Sequence, residues 1–492
     1  PEKVAIAFGL DPLGSVMTAG HLAAPWDEVG QRLSETVKAL RDKGYGGALM
    51  TCDTRPVHEA GGSEAQELAA ALAMGVSYLR ALAAGGLAPD QARSHLSWTL
   101  AVDADQFTGI AKLRAMRALW ARVEDAAGLT PRPIHIHAET AWRMMTRRDA
   151  AVNMLRTTMA TFVAGVGGAD SLSVLPYTLP LGLPDAFARR VARNTQTVLL
   201  EESNLWRVTD PVAGAGAYEE LMDGLCDKAW SLFQEIEAAG GFAKALAAGQ
   251  FQAQIAVTRA QRAKAVATRR IAITGTSEFP ALADAPQKTL DVKSPAVKIP
   301  VTLRGGSQNP PFPELTAQLA GGGSMASISP PPKAALSVDV FPSERLAEPF
   351  EALRDAADAH AAKTGSRASV FLANLGTVAE HAARAGWIRN LLAAGGIDVL
   401  GNEGFTQSGD AGRAFAESGA TIACICGSDT AYGELGEATA QALKTAGATH
   451  VLLAGRPGEA EAELKAAGVD GFLYAGIDVV AALKGVQEVL GV

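Results

Sequence analysis

Positive charge is in short supply: 44 Lys and Arg stand against 52 Asp and Glu, a formal net charge of −8. A chain with that balance lacks the field that gathers nucleic acid or an anionic membrane surface, and both partners are set aside. Cysteine is scarcer still. Cys52, Cys226, Cys424 and Cys426 are too few and too scattered to staple 492 residues, so a reducing, cytoplasmic setting is expected. No long uninterrupted apolar run is present either. The most apolar stretch, Ala160 to Pro184, carries Asp170 and several Gly and Pro residues, and it reads as buried strand and turn rather than a membrane span. No segment here resembles a signal peptide, and the given sequence opens at Pro1, without an initiator Met, on an apolar run, Val4 to Phe8. That start leads us to expect further sequence upstream.

What is present is the composition of a soluble globular protein, 48 % hydrophobic and 20 % charged, long enough for two or three domains. From residue 1 to 275, short apolar segments alternate with helix-forming ones, the rhythm of β/α units on a parallel sheet. Strands are expected at Val4 to Phe8, Gly47 to Cys52, Leu96 to Leu100, Ile134 to His137 and Ser171 to Val174. Helices are expected at Ser63 to Ala83, Phe107 to Ala126 and Ala150 to Val163, with a helix-rich tail from Tyr218 to Thr268. Eight such units would close a barrel, and five do not.

Residues 276–365 form a Pro-rich linker, since the 71 residues from Pro280 to Phe350 hold 12 of the 24 prolines. Asn309 to Pro313, Gly321 to Gly323 and Pro330 to Pro332 favour extended backbone there. The βα rhythm then returns in residues 366–492. Strands are expected at Ser369 to Asn374, Asp398 to Leu400, Thr421 to Cys426, His450 to Leu453 and Gly471 to Tyr474, a number that suits a doubly wound sheet. Val479, Leu483, Val486 and Leu490 give the last helix an apolar face to cover it.

Several short segments together carry a resemblance. They are Glu59-Ala60-Gly61, Ile110-Ala111-Lys112-Leu113-Arg114-Ala115, Leu181-Gly182-Leu183-Pro184, Ala192-Arg193-Asn194-Thr195-Gln196, Glu201-Glu202-Ser203, Asp210-Pro211, Glu235-Ile236-Glu237 and Gly240-Gly241. In these the chain resembles the adenosylcobalamin-dependent acyl-CoA mutases, the methylmalonyl-CoA mutase family, and within it the small non-catalytic type of subunit. The resemblance implies a TIM-type (β/α) barrel over residues 1–275 that threads acyl-CoA along its axis. Val4 to Phe8 would be its fourth strand, with the first three absent from this chain. After the linker it implies a flavodoxin-like, cobalamin-binding-type domain over 366–492.

The same resemblance shows where chemistry should sit. An active relative carries an Asp-x-His-x-x-Gly loop after the first strand of the second domain, in which His ligates cobalt and Asp orients it. Here Val378, Glu380 and Ala383 stand in those three places. A register shifted by one would offer His381 as ligand, with Ala379 where the carboxylate belongs. The segments expected to line the cofactor's nucleotide tail become Cys426-Gly427-Ser428 and Ala454-Gly455. Cys424 and Cys426, two apart on a strand, read as buried apolar residues rather than half of a metal site.

In the barrel, the place of a catalytic His is taken by Pro56, with His58 nearby. His95, Gly9, Leu175 and Leu179 replace polar substrate contacts. Ser97, His137 and Thr140 keep family-like identities, and Glu139 stands for a Gln; these four are the substrate-binding candidates.

Three other features bear on a metal or phosphate site. His135, His137 and Glu139 alternate on one strand face and could approach a metal, the reading of a barrel hydrolase, but the histidines beyond residue 137, His360, His381 and His450, all lie outside the barrel section. Arg147-Arg148 reads as a solvated turn, and the glycine-rich Ala164 to Asp170 as a helix-to-strand turn rather than a phosphate loop.

The sequence therefore predicts no catalytic residue and no metal in this chain. Its expected role is the non-catalytic small subunit of a heterodimeric mutase, an isomerase complex in which the large catalytic subunit binds both adenosylcobalamin and acyl-CoA. Two alternatives stay open: an active cobalamin enzyme ligated by His381, and a metal-dependent barrel hydrolase.

Overall fold

Alternating short apolar runs and helix formers resolve into two parallel sheets, each in its own compact unit. The computed structural model describes residues 6–22, 24–285, 287–292, 320–321 and 335–492. One unit comprises Pro1–Met144, Met154–Ala260 and Lys288–Arg345, and the other Met145–Asn153, Gln261–Gln287 and Leu346–Val492.

In the first unit a short strand β1 (His21–Leu22) is followed by β2 (Met50–Asp53), β3 (Leu96–Val102), β4 (Ile136–Thr140) and β5 (Ser171–Ser173). The last four form one parallel sheet in the order β2-β3-β4-β5. β1 pairs instead with β6 (Leu336–Ser337), antiparallel. The expected strand at Val4 to Phe8 is corrected. Residues 4 and 5 lie outside the described residues, Ile6 to Phe8 make no ladder, and the parallel bridge to Met50 falls at Leu10. Gly9, at φ +63, breaks the extended run just before that bridge.

Helix Glu64–Ala84 opens on a capping box in which Ser63 and Gln66 bond each other's backbone N–H. Asp105 caps helix Gln106–Ala126 by accepting from the Phe107 and Thr108 N–H groups. Both helices cover the apolar side of the sheet, where the rings of Trp98 and Trp120 lie 4.6 Å apart. Gly75 permits that packing, since a Cβ there would stand 2.6 Å from the Trp120 ring. Helix Glu64–Ala84 is also the one described helix long and apolar enough to cross a membrane, but two thirds of its apolar window is buried in this core.

The second unit holds β7 (Ser369–Asn374), β8 (Asp398–Leu400), β9 (Ile422–Cys426), β10 (His450–Ala454) and β11 (Gly471–Leu473), all parallel in the order β8-β7-β9-β10-β11. Numbered within the unit this is 2-1-3-4-5, a doubly wound order whose switch point lies between β7 and β9. Alternate strand residues feed two cores. Val370, Leu372, Cys424, Cys426 and Leu452 pack with Val479, Leu483 and Val486 of helix Val479–Leu490. Phe371, Ala373, Ile425, Val451 and Leu453 pack on the other face.

Of the Pro-rich segment, Asn309 to Pro313, Gly322, Gly323 and Pro330 to Pro332 lie outside the described residues. Its far end includes helix Glu348–Thr364, whose Phe350 is fully buried in the second unit. Arg147 and Arg148 lie in the expected turn, partly exposed, but they are ion-paired rather than left to solvent. Arg147 bonds Glu351 (3.1 Å) and Asp355, and Arg148 bonds Asp355 and Asp358 (both 2.6 Å), because that helix presents three acids at one end of its reach. Ala164 to Asp170 is the expected turn between helix Val152–Val166 and β5.

Candidate functional site

Strand parity sorts the first sheet into two unlike faces. The register Thr51↔Ser97, Asp53↔Thr99, Thr99↔His137, Ala101↔Glu139, His137↔Ser171 and Glu139↔Ser173 puts Ser, Thr, His and acids on one side. Met50, Cys52, Trp98, Leu100, Ile136 and Ala138 occupy the other. Parallel barrels ordinarily fill their interior with branched apolar side chains, so a polar face of this length marks a surface built to meet something hydrophilic.

The groups on this face bond one another. Arg55, just past β2, holds Asp53 through Nη2 (2.6 Å) and Nε, and reaches over to Glu139 through Nη1 (2.7 Å). Hydrogen bonds from Arg55 to Asp53, then the charges of Asp53 and Glu139, outweigh burial and keep its guanidinium firmly protonated. His137 Nδ1 lies 2.8 Å from Ser171 Oγ and its Nε2 3.2 Å from Ser173 Oγ. Burial lowers the His137 pKa, against the pull of Glu139, so the ring is neutral at pH 7. Thr51 and Thr99 pair through their hydroxyls at 3.1 Å.

Four expected substrate contacts are thus divided. His137 and Glu139 share the polar face. Ser97 lies on the same face but donates its hydroxyl to the Met50 carbonyl at 2.8 Å, where it ties β3 to β2. Thr140, one residue out of phase, falls on the buried side and accepts from the Leu175 N–H at 2.8 Å. The metal triad does not assemble. His135 and His137 both address Ser171, and Glu139 belongs to Arg55.

Another group, His58, Glu64 and Asp103, brings its ligand atoms within 4.8 Å of one another. Its cation is already internal: Arg143 lies 3.3 Å from Glu64 and 3.2 Å from Asp103, and also donates to the His58 and Gly62 carbonyls. Burial and then the charge of Arg143 lower the His58 pKa, and the guanidinium already supplies the positive charge that the two acids face.

The remaining barrel expectations are structural. Pro56 sits in the first turn of helix Arg55–Glu59, a place that needs no backbone donor. His95 is buried before β3 with Nδ1 donating to the Gly47 carbonyl at 3.0 Å. Gly9 is exposed, and Leu175 and Leu179 are half-buried.

Sequence reasoning passed over one carboxylate. Asp11 accepts from the Asp53 N–H (3.0 Å), the Gly14 N–H (2.9 Å) and the Tyr78 hydroxyl. Burial pushes its pKa up to about 7, helped by the neighbouring charge of Asp53 and opposed by those bonds. Its place before Pro12 signals only the N-cap of helix Pro12–Ala19, since its other two partners are 42 and 67 residues away in sequence.

The first strand of the second sheet, β7, leads into the loop where the resemblance puts a cobalt ligand. Thr377 and Glu380 form a capping box for helix Val378–Ala394, the carboxylate accepting from the Thr377 N–H (2.7 Å) and hydroxyl (2.8 Å). Those bonds hold Glu380 ionised, below the usual Glu range. Val378 is 54 % exposed at the loop tip and has no ligating atom. His381 points inward, 4 % exposed, its Nδ1 without a partner and its ring against Gly404. A Cβ at Gly404, φ +111, would meet the Gly376 carbonyl at 2.2 Å and His381 Cε1 at 2.9 Å. Ala383 is exposed one turn along the helix.

Farther along this edge, Cys426 is fully buried and Ser428 caps the next turn by accepting from the Ala431 N–H at 3.1 Å. Between Gly427 and Gly455 lies the ring of Tyr432. Its hydroxyl donates to the Ala454 carbonyl (2.6 Å) and accepts from the Gly427 N–H (3.0 Å). Sequence alone gives no hint of this, since a π-helical turn, Tyr432–Gly436, sets the direction of the ring. The residues at this edge do not fit a cobalamin: the ligand positions that the resemblance implies hold a capping carboxylate and an exposed valine, and the neighbouring histidine is only 4 % exposed.

Comparison with known proteins follows the same line. Residues 1–299 match the methylmalonyl-CoA mutase family profile. The whole chain is 44 % identical to the methylmalonyl-CoA mutase small subunit of Streptomyces virginiae, covering 71 % of that protein. It is 40 % identical over its whole length to the probable methylmalonyl-CoA mutase small subunit of Mycobacterium bovis, again over 71 % of that protein. Against the methylmalonyl-CoA mutase small subunit of Propionibacterium freudenreichii subsp. shermanii it is 35 % identical, covering 70 %. On both the profile and these relatives, the chain belongs to the methylmalonyl-CoA mutase family.

Proposed function

We propose that this chain is the small subunit of a methylmalonyl-CoA mutase and that it scaffolds a catalytic partner without itself carrying out the isomerisation. In such an isomerase complex the catalytic chain would bind both adenosylcobalamin and the acyl-CoA. The cofactor's part is to generate the radical by homolysis of its cobalt–carbon bond. On this reading the four-stranded sheet is an arc of the family's (β/α) barrel, residues 1–275, and the five-stranded sheet a flavodoxin-like domain of cobalamin-binding type, residues 366–492. The four cysteines, all free thiols, suit the cytoplasm.

One observation carries the proposal: the loop after β7 spends its only carboxylate on a capping box and buries its only histidine. A lower cobalt ligand must be an exposed imidazole held by an acceptor, and neither condition is met. The Arg55–Glu139 pair supports it from the other unit. It bridges β2 to β4 across the polar face at the strand ends, where a barrel enzyme would place its substrate.

The test is co-expression with a catalytic mutase chain, followed by size exclusion and an isomerase assay. A stable one-to-one complex is expected, with activity in the complex and none in this chain alone. Isomerase activity of the isolated chain, or failure to pair, overturns the reading.

A further inference from the structure

We infer that Tyr432 is a tethered ligand: its ring fills a cleft for a planar aromatic group at the C-terminal edge of β9 and β10, and so shuts out the cofactor's nucleotide tail from within. The inference rests on reading the second unit as a cobalamin-type domain, and it adds a second, independent reason for the absence of cofactor binding.

The cleft has walls, a lid and a polar tip. Its walls are the backbones of Gly427 and Gly455. A Cβ built on either would stand 3.4 Å from a Tyr432 ring carbon, an ordinary van der Waals distance, so the phenol faces a glycine on each side. The lid is Arg384, whose guanidinium carbon lies 4.8 Å from the ring centroid. It is anchored there by a 2.6 Å bond to the Gly427 carbonyl and an ion pair with Asp429. At the tip, the Ala454 carbonyl takes the hydroxyl proton and the Gly427 N–H supplies the returning bond.

Donor, acceptor, two glycine walls and a cation over the ring face are what a binding site for a polar aromatic molecule offers. Here one side chain of the same domain satisfies all of them. The π-helical turn aims it, and Ser428 fixes the start of that turn. Burial also pushes the Tyr432 hydroxyl well above the ordinary phenol range.

The test uses the 492-residue chain with Tyr432→Ala and two small probes, p-cresol and benzimidazole, with toluene as the apolar control. The variant should melt about 5–10 °C below the parent, the shift expected for an emptied aromatic site. p-Cresol should recover part of that loss, and both polar probes should bind the variant at least about tenfold tighter than toluene, since only they can engage the Ala454 carbonyl or Gly427 N–H. The parent should bind none of them.

A folded Tyr432→Ala chain that takes up no probe, or prefers toluene, overturns the inference. Should that variant fail to fold, Tyr432→Phe and a spectrophotometric tyrosine titration decide. The parent must show one tyrosine, absent from the Phe variant, that stays unionised until the protein unfolds. Ionisation of Tyr432 in the ordinary phenol range overturns the inference. A chain that pairs with a catalytic subunit but whose Ala variant binds no probe refutes this inference alone. The opposite pair of results refutes only the subunit reading.

Discussion

Replacing Lys112 with Met would strip the cation from a fully buried ion pair in the first unit. Lys112 Nζ lies 2.7 Å from Glu67 Oε2 and also donates to the Ala101 carbonyl at 2.5 Å. The other Glu67 oxygen accepts from the Ala101 N–H at 2.9 Å and from the Thr54 hydroxyl at 3.3 Å. Two side chains thus pin the end of β3 to helices Glu64–Ala84 and Gln106–Ala126.

Neither partner has water to fall back on, so removing one charge strands the other, a loss of about 3–5 kcal/mol. In a unit of this size that corresponds to a fall of about 5–8 °C in Tm. Adding Glu67→Gln should recover at least about half, because an amide oxygen still accepts from the Ala101 N–H without a buried charge. Calorimetry of the parent, the single and the double variant measures this. A Lys112→Met chain within about 1 kcal/mol of the parent, or a double variant no better than the single, refutes the reasoning. Lys112 belongs to the segment Ile110 to Ala115 that marks the family, so the same experiment tells scaffold from chemistry at a family motif.

Three further outcomes follow from single residues. Asp11 is protonated in the fold up to about pH 7, whereas an unfolded Asp ionises near 4. Its stabilising share is therefore present below pH 4 and lost as pH rises to 7. Urea titrations from pH 4 to 8 should show the parent losing on the order of a few kcal/mol relative to Asp11→Asn, and parallel profiles would contradict this. Gly404→Ala should destabilise the second unit by about 2 kcal/mol or more in the same assay, because the methyl collides with a carbonyl at a positive φ. Ser97→Ala should cost about 1 kcal/mol of stability and leave the isomerase activity of the complex unchanged, since its hydroxyl serves Met50. A rise in KM for acyl-CoA would instead make Ser97 a substrate contact.

The second unit was the more legible in the sequence. Its strands Ser369–Asn374 and Asp398–Leu400 stand where the sequence puts them, and the first, buried on both faces from Val370 onward, reads as a continuous apolar segment. The first strand of the other unit failed for the converse reason. Ile6 and Phe8 look like core but are each 39 % exposed, and a left-handed glycine separates them from the bridge at Leu10.

At the sites, parity was readable and partnership was not. The shared face of His137 and Glu139 follows from period two, and the same rule places Thr140 on the opposite side. That Glu139 answers Arg55, that Arg143 takes the place of a metal, and that Tyr432 fills a cleft all depend on side chains meeting across separate elements. Local spacing carries no record of such encounters.

The central claim is that the loop after β7 has no imidazole to give to cobalt. The most direct test is the absorption spectrum of the purified chain mixed with adenosylcobalamin. The account predicts the spectrum of free cofactor, unchanged by protein and unchanged again by His381→Ala. Appearance of the base-off, histidine-ligated spectrum, and its loss on His381→Ala, would contradict it.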